Sequence, residues 1–88
     1  MKEMKIGEVT HYFNKIGVAA IKIISGQLKK GDIIHIKGHT TDFTEEIDSM
    51  QIEHQPVEVA NTGDEIGIKV DNVVREGDEV FKVIEKEN

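Results

Sequence analysis

The residues of this 88-residue chain that could do chemistry are four histidines, two serines and a run of acids. His35 and His39 are four residues apart, a spacing that suits two metal ligands on a helix, but they flank the end of a predicted strand and a glycine turn, where surface histidines are expected. Ser25 and Ser49 have no recognisable base beside them to activate a nucleophile. The sequence therefore predicts no metal site, no cofactor and no catalytic residue, and we expect the protein not to be an enzyme.

The motifs that usually bind calcium ions and nucleotide phosphates are absent from the sequence. Asp42, Glu45, Glu46 and Asp48 form an acidic cluster, but they lack the spaced oxygen ligands and central glycine of a calcium loop, and a solvated strand edge is the favoured interpretation. The phosphate-binding string G-x-x-x-x-G-K-[ST] does not occur. We therefore expect neither nucleotide binding nor GTP hydrolysis.

Charge is distributed unevenly along the chain. Residues 1–40 hold seven lysines against three acids, whereas residues 41–88 hold four basic against fourteen acidic residues, for a net charge of −6. An acidic total disfavours non-specific nucleic-acid binding, yet the basic half could present a local patch. Lys22, Lys29, Lys30 and Lys37 lie on or beside two strands predicted to be adjacent. They predict either an RNA contact or a lysine-rich turn that keeps a strand edge soluble.

The elements that must position these side chains are strands. Three Gly-Asp dipeptides, at residues 31–32, 63–64 and 77–78, each precede a run rich in Ile and Val. Glycine supplies the positive φ of a tight turn, aspartate is expected to bond the backbone just downstream, and the β-branched run suits a pleated surface. We predict strands at 5–13, 17–24, 32–37, 43–54, 57–60, 66–70 and 79–84.

Two of these strands carry finer predictions. In residues 32–37, Ile34 and Ile36 should share one face. In residues 43–54 the apolar phase slips, and a β-bulge near Asp48 and Ser49 would reconcile it, with a helix as the less favoured alternative.

The length and composition limit the fold and the compartment. The chain has no cysteine and no apolar run near the roughly 20 residues of a membrane span. We predict a single all-β domain over residues 1–88, with six or seven strands in a closed barrel or sandwich, in a cytoplasmic protein.

The order and spacing of three stretches carry a family resemblance. They are GVAAIKIISGQLKKGDIIHIKG, IDSMQIEHQPVEVANTGDEIGIKV and REGDEVFKV. Together they resemble the second domain of translational GTPases such as elongation factor Tu. The strings TTDFTEEIDSMQ and VVREGD are also similar to small elongation-factor-like proteins and to the barrel appended to some peptidase family U32 proteins, several of them RNA-hydroxylation factors.

The resemblance implies a six-stranded closed Greek-key β-barrel and a site. In elongation factor Tu this barrel holds the terminal adenosine of aminoacyl-tRNA. Alignment on the Gly-Asp turns places Ile23, Lys30, Gln51 and His54 at positions of that pocket. Lys30, Gln51 and His54 differ in type from the family's apolar, glutamate and arginine residues, although Gln51 and His54 could still hydrogen-bond a nucleotide edge.

Two functions follow as hypotheses. The first is a binding module that docks on RNA (tRNA or rRNA) or a ribonucleoprotein through its lysines and the exposed aromatics Tyr12 or Phe43. The second is a protein-interaction module that serves as the detached barrel subunit of a larger translation or RNA-modification enzyme, with its acidic half facing the partner.

Overall fold

The structure, a computed structural model, describes residues 2–85. These residues form ten β-strands and no helix, so the all-β prediction is confirmed and the helical alternative for residues 43–54 is wrong. The strands are β1 Lys2–Phe13, β2 Val18–Ile23, β3 Gln27–Lys29, β4 Ile33–Lys37, β5 Asp42–Glu46, β6 Met50–Ile52, β7 Gln55–Val57, β8 Val59–Asn61, β9 Glu65–Lys69 and β10 Glu79–Glu85. Membrane-spanning helices are likewise absent from this part of the chain.

Eight of the strands make one antiparallel sheet in the order β5-β4-β10-β1-β2-β9-β6-β7, and β3 pairs with β8 in a small second sheet. The count of ten corrects the prediction of six or seven, because β3 has no counterpart among the predicted strands, residues 43–54 form two strands instead of one, and the predicted strand at 57–60 spans parts of both β7 and β8. Among residues 2–85, no strand pair joins β5 to β7, so the predicted closure of the barrel is not part of the observed pairing.

The three Gly-Asp turns have one geometry. Gly31, Gly63 and Gly77 all have φ between 92° and 97°. In each turn the aspartate accepts a hydrogen bond from the backbone N–H three residues upstream, at 2.8 to 2.9 Å, and returns its own N–H to that residue's carbonyl. The aspartate therefore bonds upstream and not downstream as predicted, so side chain and backbone close the same turn twice.

The predicted strand over residues 43–54 is two strands that lie near opposite ends of the sheet. β5 pairs with β4, whereas β6 pairs with β7 and β9. Between them Ile47 is buried, donates its N–H to the Asp32 carbonyl and accepts the N–H of Gly31, each at 2.9 Å. The phase slip thus marks a chain crossing anchored by a core isoleucine, and not a bulge within one strand.

The core lies on the inner face of the sheet and follows its alternation. Ile34 and Ile36 of β4, which were predicted to share one face, are both fully buried, and Ile66 and Ile68 of β9 repeat the pattern. The other buried apolar residues are Ile6, Val9, Ala19, Ile21, Ile23, Leu28, Ile47, Met50, Ala60, Val70, Val74 and Val80.

Candidate binding groove

A groove of about 780 Å³ runs along the outer face of the sheet, over β1, β2, β9 and β6. It exists because the strands there carry small outward residues: Val18 and Ala20 on β2 and Gly67 on β9. In the pairing register Gly67 lies between Ala20 and Gln51, so no side chain rises from the middle of the floor. This volume is within the range of pockets that bind small ligands.

One wall of the groove is apolar and comes from the β1–β2 hairpin. Phe13 is 46% exposed and Ile16 is 61% exposed. The Phe13 ring meets the His11 ring edge to face, with centroids 4.4 Å apart. A β-bulge between Val9 and His11 resets the alternation of β1, which turns Phe13 outward.

The structure corrects the prediction of exposed aromatics. Tyr12 and Phe43 are partly buried and pack against the core, whereas Phe13 is exposed. Nothing in the alternation of apolar and polar residues along β1 indicates the bulge. The sequence pattern alone therefore could not show that Phe13 is the exposed aromatic.

The other wall is polar. Glu65 Oε2 accepts a hydrogen bond from the Thr10 hydroxyl at 2.6 Å, which fixes the carboxylate at the rim. Glu53 and His54 form the two-residue turn between β6 and β7, with φ of 50° and 66°. Positive φ is rare for such residues, and both line the groove.

The sequence-predicted site residues fall into separate places. Gln51 and His54, which the resemblance placed at pocket positions, both line the groove. Ile23 has no exposed surface and is a core residue in this structure. Lys30 lies in the β3–β4 turn, where its Nζ is 3.6 Å from Glu58 Oε2. Two of the four predicted positions therefore lie at the candidate groove, and its lining residues Phe13, Thr10 and Glu65 were not among the predicted site residues.

The predicted lysine patch is not brought together. Lys22 lies on β2 and Lys37 on β4, and these strands are separated by β10 and β1, which corrects the prediction that they are adjacent. Lys29 and Lys30 precede β4, and Lys37 ends it, so the length of that strand, about 16 Å, separates them.

Acidic residues also stand beside these lysines. The register pairs Lys22 with Glu8 and Glu65, and Lys37 with Asp42 and Glu79. RNA contact by the lysines stays a prediction.

A second polar constellation joins the three strands β1, β4 and β5. The His35 ring on β4 is 2.5 Å from Asp42 Oδ1 through Nε2 and 2.9 Å from Glu3 Oε2 through Nδ1. The hydrogen bonds to Asp42 and then to Glu3 raise the pKa of His35. Groups of three or more His, Asp or Glu side chains that could hold a metal are absent from residues 2–85.

Comparison with known proteins identifies the family and the fold. A family model of elongation factor Tu domain 2 matches residues 17–80. The chain is also similar to crystal structures of the C-terminal domain of a Geobacillus thermoleovorans protein named as a U32 peptidase. One of them has a TM-score of 0.85 at 19% identity and covers 92% of this chain and 93% of that domain.

Two curated relatives match nearly the whole of this chain over a small part of their own length. An uncharacterized protease of Methanocaldococcus jannaschii is 43% identical over 81 residues, which is 91% of this chain and 20% of the relative. A collagenase of Porphyromonas gingivalis is 34% identical over 87 residues, which is 98% of this chain and 21% of the relative. The chain thus spans about a fifth of the length of these curated relatives.

The names of these relatives also correct a prediction. We expected a protein that is not an enzyme, but relatives that match nearly the whole chain are named as a protease and a collagenase. Isolated serines and histidines could not have indicated this, because the chain corresponds to only a fifth of those proteins. By the match over residues 17–80, the chain belongs to the elongation factor Tu domain 2 family.

Proposed function

We propose that this chain is the barrel module of a larger enzyme of the U32 peptidase type and that it binds polypeptide there, either the rest of the enzyme or its substrate. The observation that carries the proposal is one of proportion. The chain matches 91% of its own length to a protein of which it is 20%, and its fold matches a separate C-terminal domain over 92% of its length. Such a relation is that of one module to a whole.

The charges of the described residues favour a protein partner over RNA. The groove is lined by three acids and two histidines, without lysine or arginine. Nucleic-acid binding draws its affinity from neutralised phosphates, which needs basic side chains at the contact. Three of the predicted lysines have acidic neighbours: Lys22 and Lys37 in the sheet register, and Lys30 through Glu58 Oε2 at 3.6 Å from its Nζ.

The test uses the M. jannaschii relative from which the segment matching this chain has been removed. Isothermal titration calorimetry with the 88-residue chain should give a dissociation constant of 10 μM or tighter, on the order of −7 kcal/mol. The relative's own segment, produced separately, is the positive control. Heat with the relative's own segment and none with this chain at 100 μM would contradict the proposal.

The purified 88-residue chain also tests the alternative that the protein binds RNA. Titration of total tRNA at two salt concentrations should show weak binding that is unchanged in the Lys29→Glu, Lys30→Glu double variant. If the double variant loses affinity and the salt dependence flattens by about one unit per lost contact, the lysines form an RNA site and the RNA hypothesis replaces this proposal.

A further inference from the structure

The groove over β1, β2, β9 and β6 has one apolar wall and one acidic wall, and this difference indicates which ligand it would bind. Its apolar wall leaves Phe13 and Ile16 about half exposed. Large apolar side chains grouped at the rim of a concave surface mark contact sites more often than isolated surface residues do. The apolar wall therefore favours a partner that packs an apolar side chain against it.

The polar wall carries negative charge that the protein itself does not neutralise. Glu53, Asp64 and Glu65 all line the groove. Within residues 2–85, none of the three forms an ion pair with lysine, arginine or histidine, although other acidic residues there do form ion pairs. Lys22 is the cross-strand neighbour of Glu65, but within residues 2–85 the Lys22 ammonium forms no ion pair with the Glu65 carboxylate.

One of these carboxylates is oriented. The Thr10 hydroxyl holds Glu65 Oε2 at 2.6 Å, and a carboxylate accepts about four hydrogen bonds, so acceptor capacity remains. Gln51 adds an amide that both donates and accepts, on the far side of the open floor at Gly67. A cation on an extended chain, with its backbone over the floor, would satisfy both groups.

We infer that the groove binds a polypeptide segment in which a lysine or arginine lies beside an apolar residue. The apolar side chain packs on Phe13 and Ile16, and the cation pairs with Glu65. This rests on the proposed function for the kind of partner and goes beyond it by naming the site and the chemistry that it selects. A phosphate or another anion is disfavoured, because the described lining offers no lysine or arginine.

The inference is tested with two fluorescein-labelled hexapeptides, Ser-Leu-Lys-Leu-Lys-Ser and Ser-Leu-Glu-Leu-Glu-Ser, by fluorescence anisotropy. The lysine peptide should bind at least tenfold more tightly than the glutamate peptide, and added salt should narrow the difference. Equal affinities for the two peptides would overturn the inference.

Matched variants locate the binding. Glu65→Gln, which keeps an acceptor for Thr10, should weaken the lysine peptide at least threefold, whereas Glu46→Gln, an equal charge change on exposed β5, should not. Phe13→Ser should weaken it more than Val73→Ser, because Val73 is 62% exposed but outside the groove. Equal effects within either pair would show non-specific attraction and overturn the inference.

The same variants separate this inference from the proposed function. If wild-type chain binds the shortened M. jannaschii relative and Glu65→Gln binds it equally well while the peptides do not discriminate, the module function stands and the groove inference fails. If the peptides discriminate but the relative does not bind, the groove inference stands and the proposed partner is wrong.

Discussion

At the scale of single residues, His35 concentrates the electrostatics of the fold. Its ring bridges Asp42 on β5 and Glu3 on β1, and the side chain is only 17% exposed. Both carboxylates favour the protonated ring, Asp42 more than Glu3, so the pKa of His35 is raised above 6.5. The imidazolium therefore ties three strands together, and its charge state must affect stability.

The pH dependence of that effect has a definite sign. Because the pKa is raised on folding, the contribution of His35 is complete below pH 6.5 and is lost as pH rises through the folded value. The free energy of unfolding of the wild type minus that of His35→Gln should be on the order of 1 kcal/mol at pH 5.5 and approach zero at high pH. Denaturant melts from pH 5.5 to 9 measure it.

Asp42→Asn is the matched control, since it removes the carboxylate that raises the pKa most. Its His35 should titrate at a lower pH in a ¹H–¹³C NMR titration than the wild-type ring. A wild-type stability advantage that grows with pH would contradict this account of the cluster.

At the scale of elements, two glycines beside β2 differ in what their missing side chains allow. A Cβ at Gly7, on β1, would lie 2.3 Å from the Lys22 carbonyl oxygen, at a bulge in the β1–β10 pairing. A Cβ at Gly67, on β9, would have Val18 Cγ1 at 3.5 Å as its nearest neighbour, an ordinary contact. The two strands flank the same partner but tolerate different residues.

This difference predicts opposite outcomes for the same substitution. Gly7→Ala must displace backbone and should lower the free energy of unfolding by about 2 to 3 kcal/mol. Gly67→Ala should change it by less than about 1 kcal/mol. Chemical denaturation of both variants measures these free energies. A loss of stability for Gly7→Ala as small as that expected for Gly67→Ala would show that the bulge accommodates a methyl group.

The β6–β7 hairpin holds backbone strain at the groove. Glu53 and His54 both have positive φ, the conformation of a two-residue turn that favours Asn-Gly. The Glu53→Asn, His54→Gly double variant should therefore raise the free energy of unfolding by about 1 kcal/mol. Thermal melts test it, with single His54→Gly as the comparison, and a loss of stability in the double variant would exclude strain at this turn.

The elements also show how far the sequence could be read. Alternation predicted that Ile34 and Ile36 share one face of β4, because successive side chains of a strand point to opposite faces, and in the structure that face is buried. The break at Ile47 was not predictable, since a buried isoleucine looks the same within a strand and between two strands. The groove shows the same division: the family likeness indicated Gln51 and His54, whereas Phe13 required the bulge in β1 to be known.

At the scale of the whole molecule, the sheet order determines which strands must come apart together. β10, formed by residues far along the chain, lies between β4 and β1 near the middle of the eight-stranded sheet. The strands β5 and β7 lie at its two ends, each with one partner in that sheet. Unpairing an end strand costs one ladder, whereas unpairing β10 divides the sheet.

That order predicts the pattern of native-state hydrogen exchange. Amides of β10, β1 and β2 should exchange only through global unfolding, and those of β5 and β7 through local opening at lower free energy. Val80→Ala, at a fully buried site in β10, should cost about 2 kcal/mol or more and lower protection in β1, β2 and β4 together. Val57→Ala, partly buried in β7, should cost less than about 1 kcal/mol and affect the β6–β7 hairpin alone. Loss of protection confined to β10 in the Val80 variant would show instead that the sheet opens strand by strand.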